Sequence, residues 1–115
     1  MSQASTIDYA DFVKVDIRVG TVISATPNAA ARKPALTLEV VFGPAIGVKK
    51  TSAQLTELYD PESLIGRQVA AVVNFPPKQI AKMVSEVLVL GFPDAEGRVV
   101  LVEVERPVPN GGKLF

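Results

Sequence analysis

The sequence predicts a small, mostly β domain of the barrel type. Nearly half of its residues, 48%, are apolar, and valine is abundant, which excludes disorder and favours strands over helices. Short apolar segments recur between turn-forming residues, as they do in antiparallel barrels. The chain has 115 residues, and we expect one domain over residues 1–115, because two ordinary domains would need more chain.

A short helix and a long strand are expected at the beginning of the chain. Thr6 can cap a helix over residues 7–12. The segment VKVDIRVGTV then alternates apolar and polar residues, which is typical of a half-buried strand. Gly20 interrupts this alternation, so we expect a bulge or a sharp bend that lets one long strand serve both halves of a barrel.

Two more strands and a helix are predicted in the middle of the chain. The second strand covers residues 35–42, where alternate positions are large and apolar. A short third strand carries Lys49 and Lys50, and a helix is expected from Ser52 until just before Asp60. The segment PESLIG then forms another helical turn or a tight connection.

The second half contains three further strand-like segments, residues 67–75, 85–92 and 98–105. The predicted order places a helix between strands 3 and 4, with one extra short strand and the short terminal helix. This is the order of the oligonucleotide- or oligosaccharide-binding (OB) fold, a five-stranded Greek-key barrel. The tail PVPNGGKLF is not expected to be regular, but its apolar end, Leu114 and Phe115, indicates docking.

The residue types that are missing narrow the possible functions. Without cysteine, disulfides and thiolate metal sites are excluded, and without histidine the commonest metal ligand and general base are missing. Nothing in the sequence pairs a nucleophile with a base, so we expect no enzyme, no cofactor and no metal. The N-terminus has neither a basic flank nor a long apolar run, so we expect a cytoplasmic protein without a signal peptide.

Charge is distributed unevenly along a chain whose net charge is zero. Between Lys14 and Lys82 there are nine lysines and arginines against five acidic residues. Such an excess can create a basic face on a neutral molecule. An evenly mixed surface explains the same numbers equally well.

The segment NFPPKQIAKMVSEVLVLG, residues 74–91, carries the strongest functional signal. Pro76 and Pro77 cannot donate ladder hydrogen bonds, so the preceding strand should end at Phe75, and Pro77 suits the first position of a helical turn. In that turn the apolar side would cover the barrel while the lysines point outward. The helical spacing assigns these sides as follows: Ile80, Met83 and Val84 toward the barrel, Lys78 and Lys82 toward solvent.

The same segment resembles the EMAP-II/Trbp-type tRNA-binding domains, whose pattern is Asn-Leu-x-Pro-x-x-Met-x-Gly-x-x-Ser-x-Gly-Met. Asn74, Pro77 and Ser85 match it, and Glu86 is a frequent neighbour. Within that family the chain is most similar to the CsaA branch, through DFVKVDIRVGTV, ARKPALTLEVVFG, SEVLVLGFPD and RPVPNGGKLF in order, over nearly the whole chain from Asp8. It departs at Lys82, where the family usually has glycine.

The resemblance implies an OB-fold homodimer in the cytoplasm that acts as an export-related chaperone for unfolded or precursor polypeptides and binds tRNA. The alternative is a dedicated, structure-selective tRNA-binding protein without a chaperone role. The family also implies a dimer interface between the N-terminal helix and the C-terminal tail. The residues expected there are Tyr9, Phe12, Leu114 and Phe115.

Two sets of site residues follow from the resemblance and the local patterns. Cations would contact phosphates while polar side chains reach a base or a ribose, and shape recognition is favoured because exposed aromatic residues for base stacking are scarce. The predicted tRNA-binding residues are Arg32, Lys33, Lys49, Lys50, Asn74, Lys78, Lys82, Ser85 and Glu86. The predicted peptide-binding residues are Phe75, Pro76 and Met83.

Overall fold

The computed structural model describes residues 5–28, 30–80 and 82–115. Strands dominate, and both helices within these ranges are short. The elements are α1 (Tyr9–Lys14), β1 (Ile17–Pro27), β2 (Leu36–Val41), β3 (Val48–Ala53), α2 (Pro61–Leu64), β4 (Gln68–Val72), β5 (Lys78–Ile80), β6 (Met83–Ser85), β7 (Leu88–Val89), β8 (Gly91–Pro93) and β9 (Val99–Leu101).

An antiparallel sheet of five strands, in the order β3-β2-β1-β4-β7, forms the body of the molecule. Strand β1 is long enough to pair with β2 through its second half and with β4 through its first half. The irregularity that bends β1 lies between Val22 and Ser24, so the predicted bulge at Gly20 was wrong. Gly20 serves packing instead, because a Cβ atom there would lie 2.6 Å from Val40 Cγ1 and 2.8 Å from the Phe42 ring.

The sheet curls until the free edge of β3 meets residues 85–87. The backbone N–H of Glu86 donates to the carbonyl of Lys50 at 2.8 Å, and the Thr51 hydroxyl donates to the carbonyl of Val87 at 2.7 Å. The result is a nearly closed five-stranded barrel with a helix between β3 and β4, which confirms the predicted OB fold. The barrel core consists of alternating strand positions and the α2 residue Leu64, namely Val22, Leu36, Leu38, Val40, Phe42, Leu64, Val69 and Ala71.

The structure differs from the sequence prediction at α1 and at the helix expected from Ser52, whereas α2 lies in PESLIG, where a helical turn or a tight connection was predicted. Helix α1 begins after Asp8, whose backbone N–H donates to the Asp11 carboxylate at 3.2 Å, so the cap lies two residues beyond Thr6. The helix predicted from Ser52 was wrong, because Ser52 still pairs with Thr37 in the β2–β3 ladder. The helix begins only at Pro61, within PESLIG.

Residues 78–80 and 83–85 form the two strands of a β-hairpin, so the predicted helical turn was wrong. Strands β5 and β6 pair Lys78 with Ser85 and Ile80 with Met83. The extended conformation is favoured by two hydrogen bonds to the edge of β3. The Ser85 hydroxyl accepts the backbone N–H of Ser52, and the backbone N–H of Glu86 donates to Lys50 O. Val84 is 46% exposed and does not cover the core.

The C-terminal third is more divided than predicted. The expected strand over residues 85–92 is split among β6, β7 and β8, and β9 is shorter than the predicted 98–105. The tail docks through its backbone: Gly111 N–H donates to Val19 O at 2.8 Å and Leu114 N–H to Ile17 O at 2.8 Å. The apolar side chains at its end nevertheless remain exposed. Within the described ranges, neither helix has the length and apolar character needed to cross a membrane.

Candidate nucleic-acid interface

The lysines and arginines fall into two equal classes. All twelve lie among the described residues, and six of them form ion pairs with a carboxylate. No ion pair within the described residues involves the other six, which are Arg32, Lys33, Lys50, Lys78, Lys82 and Lys113. Five of these six were predicted to contact RNA. Lys113 lies apart in the tail, where its Nζ donates to Val13 O at 3.4 Å.

The first of two adjoining depressions collects the cations of the β1–β2 loop. It has a volume of about 830 Å³, and Arg32, Lys33, Gln54, Ser52 and Ile80 line it together with small alanines. The loop closes on itself through Asn28 N–H donating to Ala35 O at 2.9 Å, which places both cations at the end of the barrel sheet. Both side chains are exposed.

The second depression lies beside the β5–β6 hairpin and has a volume of about 420 Å³. It shares Ser52 and Ile80 with the first, so the two are contiguous. We call the pair of depressions the basic groove. The remaining residues that line the second depression are Phe75, Pro76, Lys78, Ser85, Glu86, Val87 and Leu88.

Two further cations lie near the groove without lining it. Lys50 shares the outward face of β3 with Ser52, because residues two apart in a strand point to the same side. Glu39 is its cross-strand partner in the β2–β3 ladder, and the Glu39 carboxylate accepts a hydrogen bond from the Ser24 hydroxyl at 2.8 Å. Lys82 is exposed in the turn of the β5–β6 hairpin.

Lys49 has a different environment from its neighbour Lys50. Its side chain is 34% exposed, and its Nζ lies 3.9 Å from Glu86 Oε2. The other oxygen of that carboxylate, Oε1, accepts the backbone N–H of Lys50 at 3.0 Å. Lys49 is therefore partly neutralised by a contact that also holds the barrel closed.

The three polar residues predicted to contact a base also support the barrel. Asn74 accepts the backbone N–H of Asp16 at 3.1 Å and donates to Lys14 O at 2.7 Å, which ties the end of β4 to the start of β1. The Ser85 hydroxyl accepts the backbone N–H of Ser52 at 3.1 Å. Ser85 and Glu86 line the groove as well, whereas Asn74 does not.

The predicted peptide-binding residues separate into two places. Phe75, 52% exposed, and Pro76 form an apolar wall of the second depression with Leu88. Met83 does not line the groove; its sulfur accepts a hydrogen bond from the Thr37 hydroxyl at 3.4 Å. The structure thus brings Phe75 and Pro76 together with Lys78, so the two predicted sets overlap in one depression.

The residues predicted for a dimer interface come from the two ends of the chain, which lie next to each other in the structure. Tyr9, Phe12, Leu114 and Phe115 line one cleft of about 180 Å³ with Val13 and Lys113. The Tyr9 and Phe12 rings are 6.1 Å apart, and Phe115 is fully exposed. We call these residues the terminal patch.

Besides three alanines and Val87, sequence reasoning missed Ser52, Gln54, Ile80 and Leu88 among the residues that line the groove. Alternation along β3 could have found Ser52, since it shares a face with Lys50. Ile80 was assigned to the barrel core because its spacing from Met83 and Val84 also fits a helix. No local signal marks Leu88, whose exposure depends on how β7 meets the rest of the barrel.

Three comparisons with known proteins place these features in context. A family model described as "Putative tRNA binding domain" matches residues 17–113. The crystal structure of the chaperone CsaA from Bacillus anthracis str. Ames has a TM-score of 0.90 and 48% identity, covering 96% of this chain and 100% of that chain. CsaA from Picrophilus torridus has a TM-score of 0.89 and 46% identity, with the same coverage.

Curated relatives are much longer proteins. The methionine–tRNA ligase of Flavobacterium johnsoniae is 34% identical over 112 residues, which are 97% of this chain and 15% of the ligase. The similarity therefore concerns one small part of that enzyme.

Proposed function

The chain belongs to the tRNA-binding-domain family, and on that premise we propose that it binds tRNA through the basic groove and acts as a CsaA-like chaperone. The observation that carries the tRNA proposal is the position of the unpaired cations. Arg32, Lys33 and Lys78 line one continuous groove, with Lys50 and Lys82 beside it, and no carboxylate in the described residues forms an ion pair with any of them. Phosphates supply the missing negative charge.

The geometry favours recognition of a folded RNA. The cations come from separate loops and strands, so they are spaced over a surface rather than along one strand of RNA. Neutral net charge makes the contact local, since the rest of the molecule exerts no general attraction for a polyanion.

Binding of tRNA at low salt is the direct test. We expect the chain to bind folded tRNA more tightly than an unstructured RNA of the same length, measured by filter binding or fluorescence anisotropy. Absence of tRNA binding at low salt would contradict the proposal.

A chaperone role for polypeptides on their way to export is supported by the apolar wall of the same groove. Phe75, Pro76 and Leu88 present apolar surface beside cations, a combination that suits partly apolar extended polypeptides. We propose that the protein meets such clients before export, in the cytoplasm. The alternative is a tRNA-binding protein without clients.

Aggregation of an unfolded model protein separates these alternatives. We expect the wild-type chain to suppress aggregation and Leu88→Ser to weaken that effect. Ile65→Ser is the matched control, because Ile65 is 50% exposed and Leu88 49%, but Ile65 does not line the groove. Full RNA binding with no suppression of aggregation would support the alternative.

We further propose that the protein is a homodimer joined through the terminal patch. Exposed Tyr9, Leu114 and Phe115 at the two chain ends form apolar surface that a second copy can cover. Sedimentation equilibrium should give a dimer for the wild type and a folded monomer for Phe115→Asp. Phe92→Asp is the control, since Phe92 is 69% exposed outside the patch. A monomeric wild type would refute the dimer.

A further inference from the structure

We propose that the second depression holds one unpaired nucleotide base stacked on Phe75, so that the chain recognises a single-stranded end of a folded RNA. This inference rests on the proposed RNA binding and adds to it the part of the RNA that is recognised. Phosphate contacts position an RNA, whereas stacked bases select its unpaired segments.

The aromatic ring is in the right place for stacking. Among the described aromatic residues, Phe75 alone lines the basic groove, and 52% of it is exposed. An apolar ring exposed beside Lys78 gains no core packing, but it gains binding surface for a flat ligand that carries a phosphate.

The backbone around Phe75 is fixed on both sides before any ligand binds. On one side Asn74 is bonded to the backbone of Lys14 and Asp16, and Val73 N–H donates to Asp16 O at 2.9 Å. On the other side Pro76 restricts the chain through its fixed φ angle. Stacking on a ring held in this way loses little conformational entropy.

The remaining walls of the depression match the other parts of a nucleotide. Ser85 and Glu86 supply polar groups for a base edge or a ribose, and Lys78 supplies a cation for the phosphate. The volume, about 420 Å³, lies within the range of small-ligand pockets. An apolar peptide side chain would use only the Phe75 and Leu88 side, so the combination favours a nucleotide.

Two RNA hairpins test the proposal. They share one sequence and differ only in a short unpaired tail at one end. We expect the wild-type chain to bind the tailed hairpin about tenfold more tightly than the blunt one. Phe75→Leu should lose that preference and keep its affinity for the blunt hairpin. Phe92→Leu removes another exposed aromatic ring and should keep the preference.

A fluorescence measurement reports stacking directly. The chain has no tryptophan, so Phe75→Trp introduces a single indole into the groove. The tailed hairpin should quench its emission and the blunt hairpin should not, while Phe92→Trp should respond to neither.

The outcomes separate this inference from the proposed function. Equal binding of the two hairpins by the wild type would overturn the stacked base and leave RNA binding intact. If Phe75→Leu lost affinity for both hairpins equally, the stacked base would also be overturned, because the ring would then support the groove as a whole. If an apolar peptide bound in a Phe75-dependent way while the tailed hairpin was not preferred, the stacked base would be overturned. The apolar wall of Phe75, Pro76 and Leu88 would then be a polypeptide site. Binding of neither hairpin would contradict RNA binding itself.

Discussion

Two regions of the molecule use their cations in opposite ways. In the basic groove, Arg32, Lys33 and Lys78 form no ion pair within the described residues. In the C-terminal third, Arg98 binds Asp94 at 2.8 Å and also Glu96, and Arg106 binds the adjacent Glu105. A chain of zero net charge can therefore carry a surface of uncompensated charge, and that surface is available to a ligand.

Neutralising the groove should produce the largest effect. The triple variant Arg32→Gln, Lys33→Gln, Lys78→Gln should weaken tRNA binding on the order of 100-fold, at roughly 1 kcal/mol for each lost phosphate contact. Its thermal unfolding should match the wild type, because none of the three side chains forms an ion pair in the described structure. Filter binding and calorimetry measure the two quantities.

The matched control triple removes the same charge from paired cations. Arg67→Gln, Arg98→Gln, Arg106→Gln should keep tRNA affinity within a factor of about two, since these guanidiniums are already neutralised by carboxylates. Equal losses of affinity in the two triples would mean that RNA responds to total charge, and the distinction between the regions would fail.

Arg67→Gln alone should affect stability rather than binding. The Arg67 guanidinium binds Glu103 at 3.1 Å, donates to Ser63 O at 2.8 Å and lies 5.4 Å from the Tyr59 ring centroid. The groups are partly exposed, so we expect a loss of about 1 kcal/mol in the free energy of unfolding. Urea unfolding measures this free energy. If the variant were as stable as the wild type, the contacts of Arg67 would have no structural role.

Glu39→Gln should make the face that carries Lys50 more positive and strengthen tRNA binding, with a smaller effect than the variants above. Glu39 lies opposite Lys50 in the β2–β3 ladder and is the acidic residue that lowers the potential on that face. Glutamine can still accept the Ser24 hydrogen bond, so the fold should be unchanged. Affinity for tRNA should rise about twofold as one negative charge is lost. Weaker binding would indicate that Glu39 itself contacts the ligand.

Asp94→Asn should lower stability at neutral pH and flatten the acid side of the stability profile, where wild type and variant converge. Partial desolvation raises the pKa of Asp94, but hydrogen bonds from Arg98 and Glu96 outweigh it and lower the pKa below its ordinary value. The ionised carboxylate thus stabilises the fold above its unfolded pKa, and this contribution disappears as the pH falls through the folded pKa. Below about pH 4, the thermal unfolding temperature should depend less on pH in the variant than in the wild type. The control variant Glu96→Gln should keep the pH dependence of the wild type. An unchanged profile would contradict the assignment.

Local patterns were sufficient for much of the fold. Alternation placed Leu36, Leu38 and Val40 in the core, and the strand order with its intervening helix gave the barrel. The β5–β6 hairpin could not be read in this way, because its apolar spacing also fits one helical turn. Contacts between residues far apart in sequence decide it, such as Ser85 with Ser52.

Sequence reasoning proposed the cations of the candidate site but could not predict how they are arranged. Resemblance to the family and the positions of Lys and Arg identified the cations. Their pairing depends on distant partners, as with Lys49 and Glu86, so sequence alone could not separate Lys49 from the unpaired Lys50. The exposure of Phe75 also depends on the tie between Asn74 and the start of β1.

The salt dependence of tRNA binding tests most directly whether the unpaired cations of the groove contact phosphates. The dissociation constant is measured over a range of salt concentrations for the wild type and the groove triple. The account predicts that the logarithmic slope of the triple is shallower by about two to three, because each lost contact contributes about 0.7 to 0.9. Parallel lines for the two proteins would contradict it.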